Sequence, residues 1–415
     1  MTGDAADARA ATGGRPYRVM PLVGVVGAAP RGRPGITPDA PGLYLHVPFC
    51  SAICPYCDFA VLTGGTEKRR RFVAALCQEI ALWADSEWCG FDTIYFGGGT
   101  PSALEPDQIG EILEAIYATF PESRAARIFF EANPEDASPE TFAALRSLGV
   151  ATLSLGVQTF LPEELVFLGR RHTPEQGEQA FHLAREAGFP TVSLDLIFGL
   201  PDQTPAAWRR SLEAAVSLST DHISCYQLTI HEGTPFGFRR DRGHLAEMPE
   251  PAQAEIFHLT HHLLGDAGYE GYEVSNFARA PEHRSRHNQK YWRHVPYLGL
   301  GPSAHSFDGK RRWWNERKLG PWEQKIAQRA RPIAEEETLT AGNLALEALM
   351  LGLRTKEGLD LGAFRERYGV DLEATNADLL KRAIENDLLV REGEGLRPTR
   401  AGFAVADGLA RDFEV

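Results

Sequence analysis

Short apolar segments alternate with amphipathic helical segments through most of this chain, and this alternation restricts its fold more than any other feature. Two of the helical segments begin clearly, because Ser138 and Thr173 are each followed by a proline at the first helical position. Strands that alternate with helices form parallel sheets, so the sequence predicts an α/β fold, a partial parallel (βα)6 barrel or open sheet. The predicted strands are 42–48, 93–96, 127–130, 151–157, 191–197 and 222–230, and the predicted helices are 67–86, 107–119, 138–148, 174–187, 205–218 and 250–267.

A chain of 415 residues is too long for one ordinary core, and its composition changes at three places. Residues 1–40 are dominated by Ala, Gly, Pro and Arg and are predicted to be a disordered leader. Residues 41–275 carry the strand–helix alternation, and residues 276–338 are a connecting region rich in His, Arg and aromatic residues. In residues 339–415, helical patterns lead into a short hairpin, which is typical of a small winged-helix-like α+β domain.

The charge balance and hydropathy narrow the range of partners. A formal net charge of −13 argues against a chain that coats nucleic acid. Acidic residues also outnumber basic ones after residue 339, so we do not expect the C-terminal domain to bind DNA. The apolar runs are shorter than the ~20 residues of a membrane-spanning helix. The run at 19–30 is a poor signal peptide because Pro21 interrupts it, and we expect a cytoplasmic protein.

Three of the six cysteines lie within eight residues, at Cys50, Cys54 and Cys57, directly after the first predicted strand. Crowded thiols in a reducing compartment hold a metal more often than they form a disulfide. Three thiolates at this spacing can bind three irons of a cubane cluster and leave the fourth iron open to a ligand. A zinc site is the alternative, although structural zinc needs four ligands and His46 is the nearby histidine. The other cysteines are predicted to be small buried residues: Cys77, Cys89 and Cys225.

Polar residues stand at the ends of successive predicted strands, where a parallel sheet binds its ligand. Glu131, Gln158 and Asp195 occupy such positions, and a glycine triplet at 97–99 ends the second strand. Each polar residue has a structural alternative, as a turn cap, a backbone hydrogen bond or an ion pair. Taken together above one cysteine loop, they indicate a shared ligand shell, in which Arg170 would suit a carboxylate.

The CxxxCxxC loop, with Tyr56 before its last cysteine and the glycine triplet after it, resembles the radical S-adenosylmethionine (SAM) superfamily. The resemblance covers residues 42–413 and implies a radical SAM barrel. It also implies a [4Fe-4S] cluster on Cys50, Cys54 and Cys57, with SAM on the open iron. The SAM contacts implied by matching motifs are Tyr44, Tyr56, Gly98, Gly99, Thr100, Glu131, Gln158, Arg170 and Asp195.

Segments 44–50, 131–134, 154–160 and 195–201 resemble one branch of that superfamily, the relatives of oxygen-independent coproporphyrinogen III oxidase. The decarboxylating members have a further cysteine two positions after the third cluster ligand, where this chain has Phe59. Residues 287–292 match the HNxxYW motif of the heme chaperone (HemW-type) subgroup, while His231 stands where that subgroup suggests an acidic residue. The resemblance implies heme as a ligand, with these candidate contacts: His287, Asn288, Tyr291 and Trp292.

Without the family resemblance, the residue types of segment 283–294 allow two interpretations. Four cations surround histidines and an aromatic pair, and heme offers propionates, a flat apolar face and an iron that binds imidazole. The alternative is a basic, solvated surface loop whose Trp292 packs inward. The four cations are Arg284, Arg286, Lys290 and Arg293.

Three functions remain open from the sequence, so whether the protein is an enzyme is open as well. The resemblance favours a chaperone that binds heme or a porphyrin and delivers it to a recipient hemoprotein. The alternatives are an oxygen-independent coproporphyrinogen III oxidase and a related C-methylating enzyme. The partners expected by resemblance also include an electron donor of flavodoxin or ferredoxin type and peripheral membrane contact.

Overall fold

The computed structural model describes residues 40–415, so the predicted leader lies outside the described residues except for its last position. The strands of this part are β1 (Gly42–Val47), β2 (Thr93–Gly98), β3 (Arg127–Ala132), β4 (Val150–Gln158), β5 (Thr191–Phe198), β6 (His222–Gln227), β7 (Glu270–Glu273), β8 (Asn276–Ala278), β9 (Tyr297–Leu300), β10 (His305–Phe307), β11 (Arg311–Asn315), β12 (Ile333–Thr338), β13 (Leu359–Asp360), β14 (Leu389–Glu392) and β15 (Gly395–Pro398).

The helices are α1 (Thr66–Ala81), α2 (Pro106–Thr119), α3 (Pro139–Ser147), α4 (Pro162–Phe167), α5 (Pro174–Glu186), α6 (Pro205–Ser217), α7 (Pro235–Asp241), α8 (Glu250–Asp266), α9 (Arg286–Trp292), α10 (Leu319–Ala327), α11 (Ala341–Gly352), α12 (Leu361–Tyr368), α13 (Leu372–Thr375), α14 (Ala377–Glu385), α15 (Arg400–Ala404) and α16 (Ala406–Asp412). Short 3-10 turns lie at Pro101–Ala103, Pro121–Ala125, Pro134–Asp136 and Pro281–His283.

The main sheet confirms the predicted α/β class and its parallel core. Strands β1 to β6 are neighbours in chain order, and each pairs in parallel with the next. Helices connect them, as parallel pairing requires. Alternate residues of these strands are apolar and pack into the core, for example Leu153, Leu155 and Leu194. Residues between them, such as Ser154 and Asp195, face a cavity on the other side of the sheet.

The sheet continues beyond this core in a way that the sequence did not predict. Strand β9 pairs in parallel with β1, and β10, β11 and β12 extend the same edge in antiparallel fashion. At the opposite edge, β8 pairs with β6 and β7 with β8, which completes a sheet of 12 strands. Residues 276–338, predicted to be a connecting region, therefore supply edge strands of the core sheet.

Side-chain caps explain where several helices begin. Ser138, Thr173, Thr204 and Thr234 each accept a hydrogen bond from a backbone N–H in the first turn, and proline follows each of them. The cap satisfies a free helical donor and the proline presets the helical φ angle. Thr234 begins α7, a short helix that the hydrophobic pattern had not indicated.

The C-terminal domain has its own core and confirms the predicted small α+β domain. Buried Leu349, Leu353, Phe364 and Leu396 pack together in it, away from the main core. Its small sheet has the order β13-β15-β14, with β14 and β15 as the predicted hairpin.

Two further expectations concern cysteines and membranes. Cys225 is buried as predicted, whereas Cys77 is only partly buried and Cys89 is exposed, so the prediction is wrong for Cys89. Among residues 40–415, every helix is too short or too polar to cross a lipid bilayer.

Candidate functional site

A cavity of about 650 Å³ lies along one face of the parallel strands and extends to the loops at their carboxyl ends, and we call it the first cavity. The cysteine loop after β1 forms one side of it, and polar residues of β3, β4 and β5 form another. The predicted site residues that line it are Tyr44, Cys50, Cys54, Tyr56, Cys57, Gly98, Gly99, Thr100, Glu131, Gln158, Arg170, Asp195, Asn288 and Tyr291. The structure therefore brings the whole predicted SAM shell and the three cysteines to one place, while their roles stay predictions.

The cysteine loop is tied to the end of β1 by backbone hydrogen bonds. The Cys50 N–H donates to the Leu62 carbonyl oxygen at 3.0 Å, and the Cys57 N–H donates to the Cys54 carbonyl oxygen at 3.1 Å. The three thiols are partly buried. Burial raises the pKa of Cys50 and raises that of Cys57 to about 11, so these thiols are neutral until a metal ion drives off their protons.

A chain of polar side chains runs behind the loop and connects two of its thiols. The Thr100 hydroxyl lies 3.5 Å from Cys50 Sγ and accepts a 3.0 Å hydrogen bond from Asn133 Nδ2. Arg170 completes the chain, because its Nη2 donates to Asn133 Oδ1 at 2.6 Å and its Nη1 lies 3.6 Å from Cys54 Sγ. Donors directed at sulfur stabilise thiolates, which suits cluster ligands.

Two positions of the glycine turn at the end of β2 require glycine for steric reasons. A Cβ on Gly99 would lie 2.7 Å from the Phe49 carbonyl oxygen and 3.1 Å from Cys50 Sγ. Gly98 has φ +110°, and a Cβ there would meet the His46 ring at 2.6 Å. Only glycine lets this strand end approach the cysteine loop so closely.

The cysteines suit a cubane cluster better than a single metal ion. In residues 40–415, no group of three His, Cys, Asp or Glu side chains is arranged to hold one ion. In a cubane each thiolate binds a different iron, so three cluster ligands need not converge on one centre. A loop with three free thiols, sulfur-directed donors and an adjoining open cavity fits a [4Fe-4S] cluster with one accessible iron.

Two carboxyl groups face the first cavity from β3 and β5, the strands on either side of β4. Glu131 accepts a 2.6 Å hydrogen bond from Tyr95 Oη, and Asp195 accepts one at 2.8 Å from Ser154 Oγ. Burial raises the pKa of both groups, that of Glu131 to about 7. They are acceptors that could bind the hydroxyl and amine donors of a ligand such as SAM.

Gln158 shows local strain at the end of β4. Its φ is 68°, and the pairing between β4 and β5 shifts register between Leu155 and Gln158. Residues held in a sparsely populated conformation cluster at functional sites. The irregularity directs the end of the strand into the first cavity, consistent with a ligand contact.

The segment 287–292 forms most of α9, and its side chains lie on different sides of that helix. Asn288 and Tyr291 line the first cavity, whereas Trp292 lines a second cavity of about 410 Å³ and packs edge-on against Tyr272. His287 lies between them and is fully buried. The motif is therefore not one continuous ligand surface.

The placement of His287 does not suit a heme ligand. Its Nδ1 lies 2.9 Å from Thr93 Oγ1 and its Nε2 lies 2.8 Å from Tyr291 Oη, so both ring nitrogens have partners. Burial lowers its pKa well below the usual range. In this arrangement the imidazole connects β2 to α9 and has no nitrogen left for an iron.

Most of the cations near α9 form ion pairs with carboxylates of the protein. This differs from both sequence interpretations, a heme site and a solvated basic loop. Arg284 pairs with Glu270 and Glu357, and Arg286 and the buried Lys290 both contact Asp92 at 2.5 Å. Arg293 is exposed and donates to Gln289. Of the four predicted cations, Arg293 is the one directed outward near the second cavity.

Some residues of the site were missed by the sequence analysis. Tyr95 orients Glu131, Asn133 connects Thr100 to Arg170, and Tyr226 lines the same cavity from β6. Asn133 lies inside a recognised motif, which was the available signal for it. His231 also lines the first cavity, with its Nδ1 3.9 Å from Asp58 Oδ2 of the cysteine loop.

Family models match two parts of the chain. Residues 44–215 match the radical SAM superfamily, and residues 339–405 match the HemN C-terminal domain. The second match coincides with the separate C-terminal core.

Several curated relatives cover nearly the full chain. A protein named heme chaperone HemW from Mycobacterium tuberculosis is 35% identical over 390 residues, 92% of this chain and 98% of the relative. A protein of the same name from Bacillus subtilis is 34% identical over 86% of this chain and 95% of the relative. A Bos taurus protein named radical S-adenosyl methionine domain-containing protein 1, mitochondrial, is 32% identical over 88% of this chain and 86% of its own.

Among solved structures, coproporphyrinogen III oxidase (HemN) from Escherichia coli matches with a TM-score of 0.77. The match covers 90% of both chains at 24% sequence identity. At that identity, the likeness establishes the shared fold.

Proposed function

This chain belongs to the radical SAM superfamily and, within it, to the family of proteins named heme chaperone HemW, and on that basis we propose that it binds heme and delivers it to hemoproteins. The observation that carries the proposal is the 35% identity to a named heme chaperone over 98% of that relative's length. The second cavity beside Trp292 adds structural support, because it provides room for a ligand outside the cysteine site.

The family's cofactors are a [4Fe-4S] cluster and SAM, and the first cavity fits both. Cys50, Cys54 and Cys57 would hold the cluster, which when bound can chelate SAM at its open iron and supply it with an electron. Arg170 is positioned to neutralise thiolate charge, since it lies 3.6 Å from Cys54 Sγ. The buried carboxylates of Glu131 and Asp195 would accept hydrogen bonds from the amine and hydroxyl groups of SAM.

The decarboxylase alternative lacks one expected group beside this cavity. Phe59 occupies the position two residues after Cys57 where the decarboxylating relatives have a cysteine, and its side chain is 62% exposed. An exposed apolar ring cannot take the place of a thiol as a proton or hydrogen donor. We therefore propose heme delivery without coproporphyrinogen decarboxylation.

The remaining partners belong to the same proposal. Exposed Ile53 lies in the cysteine loop and exposed Phe59 directly after it, and they give the loop an apolar edge that suits contact with an electron-donor protein or a membrane surface. The free cysteines suit a reducing compartment, and we propose a cytoplasmic location with a hemoprotein as recipient.

Two parallel anaerobic assays on the reconstituted full-length protein test the function. In the first, hemin is added and the Soret band is followed before and after mixing with an apo-hemoprotein. We expect one stable complex whose heme moves to the recipient. In the second, the protein receives SAM, a reductant and coproporphyrinogen III, and we expect no protoporphyrinogen IX.

A decarboxylating member of the branch serves as the positive control of the second assay. Rapid formation of protoporphyrinogen IX, together with no hemin binding, would replace the chaperone proposal with the oxidase.

A further inference from the structure

The second cavity lies where α9 of the core meets the C-terminal domain. Trp292 comes from α9, and Phe364 and Tyr368 come from α12 of the C-terminal domain. Its volume of about 410 Å³ is in the range of small-molecule sites. With Tyr272, which also lines it, these aromatic side chains give the cavity flat apolar walls, which suit a planar ligand.

His294 is the unusual residue of this cavity. It follows α9 with φ 58°, a conformation that costs free energy in a residue with a side chain. Only 2% of the residue is exposed. Its Nδ1 lies 3.3 Å from Tyr368 Oη, whereas its Nε2 has no hydrogen-bond partner in the described part of the chain.

A buried imidazole nitrogen without a partner is costly unless a ligand or water satisfies it. Burial lowers the pKa of His294 to about 3, and the nearby guanidinium groups of Arg367 and Arg312 act in the same direction. The ring is therefore neutral, which is the form that ligates a metal. Tyr368 at the other nitrogen fixes the ring orientation, as second partners of metal-binding histidines do.

The charges at the rim favour an anionic ligand. Arg293 and Arg367 both line the cavity and are exposed. The two carboxylates there are already engaged, because Glu357 pairs with Arg284 and Asp360 caps α12. Guanidinium groups attract carboxylates, so the positive charge at the rim suits an anionic ligand.

We propose that this second cavity is the heme site, with His294 supplying the imidazole to the iron and Trp292 flanking the porphyrin. The inference rests on the proposed heme-binding function and moves the iron ligand from His287, inside the HNxxYW motif, to His294, two residues after the motif. Nε2 is covered in this structure, so entry of a porphyrin requires α9 and α12 to move apart.

Hemin titration of the full-length protein tests the location. His294→Gly keeps the positive φ, because glycine adopts it freely, and removes the imidazole. We expect at least a tenfold weaker hemin affinity and a shifted Soret band, both restored by added free imidazole. Trp292→Leu is expected to weaken binding without an imidazole response.

Two variants far from the cavity serve as matched controls. His262→Ala removes an exposed histidine of α8, and Trp88→Leu makes the same tryptophan change before β2; both should bind hemin like the wild type. Circular dichroism of each variant reports its folding. Unchanged hemin affinity in both His294→Gly and Trp292→Leu would overturn the location, whereas a wild type that binds no hemin would overturn the proposed function itself.

Discussion

Glu131 is a buried carboxyl group whose titration falls near neutral pH. Burial is the main cause of its pKa of about 7, and the hydrogen bond from Tyr95 acts in the opposite direction. The ionised form accepts hydrogen bonds from a cationic ligand, whereas the protonated form must first release its proton. We therefore expect the proposed contact of Glu131 with SAM to make SAM binding depend on pH.

We expect the affinity for SAM to be highest above pH 7 and to fall below it, by up to about tenfold for each pH unit. Glu131→Gln should bind SAM more weakly and without this pH dependence. Tyr95→Phe removes a donor that stabilises the carboxylate, so the midpoint of the pH profile should move upward. Anaerobic calorimetric titrations of the cluster-loaded proteins between pH 6 and 8.5 measure these effects.

The exposed Glu114→Gln is the matched control and should reproduce the wild-type pH profile. A wild-type affinity that is constant over this range would refute the coupling. A Tyr95→Phe midpoint equal to that of the wild type would show that Tyr95 does not position Glu131.

Individual residues of the site could be predicted from the sequence where they follow a predicted strand. Glu131, Gln158 and Asp195 follow apolar strand segments, and parallel strands bring their carboxyl ends together. Tyr95 and Asn133 were not predictable as partners, because their contacts join neighbouring strands and loops that are distant in sequence. The sequence did not indicate His294 as a site residue. The features that single it out are its positive φ angle and the missing hydrogen bond at Nε2, and neither can be read from the sequence.

Helix α9 connects elements through His287, which contacts Thr93 of β2 and Tyr291 one turn further along the same helix. Replacing this side chain removes the partner of the buried Thr93 hydroxyl and of the partly buried Tyr291 hydroxyl, and it opens a cavity. Each effect is strongly destabilising in a protein core.

We expect His287→Ala to lower the free energy of unfolding by about 3 kcal/mol, because a packing defect adds to the lost hydrogen bonds. The hemin that still binds to folded protein should keep its wild-type Soret maximum, since the imidazole has no free nitrogen for iron. Urea unfolding and hemin spectra of the same samples measure both effects.

His258→Ala makes the same substitution at an exposed position of α8 and should leave stability within experimental error. A wild-type unfolding curve combined with a shifted Soret band in His287→Ala would contradict the structural role and restore His287 as the heme ligand.

At the scale of elements, the parallel strands and long helices followed from periodicity, and the short elements did not. Helices α4 and α7 span 6 and 7 residues, too few for a reliable helical period. Strand β12 is mostly exposed and carries three consecutive glutamates, which suits a sheet edge but gives no alternating pattern. Edge strands such as these are stabilised by pairing, which a local pattern does not report.

The shape of the second cavity depends on how the C-terminal domain joins the core, because residues of both parts line it. The Val274 N–H donates to the Arg354 carbonyl oxygen, and the Lys356 N–H donates to the Tyr272 carbonyl oxygen. The Arg354 side chain adds ion pairs to Glu273 at 3.2 Å and Asp407 at 2.9 Å. The sequence predicted both domains but not this joint, because its partners are about 80 residues apart.

Arg354→Ala should loosen the joint and thereby weaken heme binding at a distance. It leaves the carboxylate of Glu273, only 3% exposed, without its cation, although Asn276 and the Ser275 N–H still donate to it. Because Arg354 is one-fifth exposed, we expect a loss of about 2 kcal/mol, less than for a fully buried pair. Urea unfolding measures this loss, and hydrogen exchange should show faster exchange in α11 and α12.

The second cavity would widen in this variant although Arg354 does not line it. If heme lies between α9 and α12, hemin affinity should fall together with the exchange protection of α12. The matched control is the exposed Arg411→Ala in α16, which should change neither quantity. A loosened C-terminal domain with wild-type hemin affinity would place the heme wholly within the core, because only a ligand held by both domains depends on how they are joined.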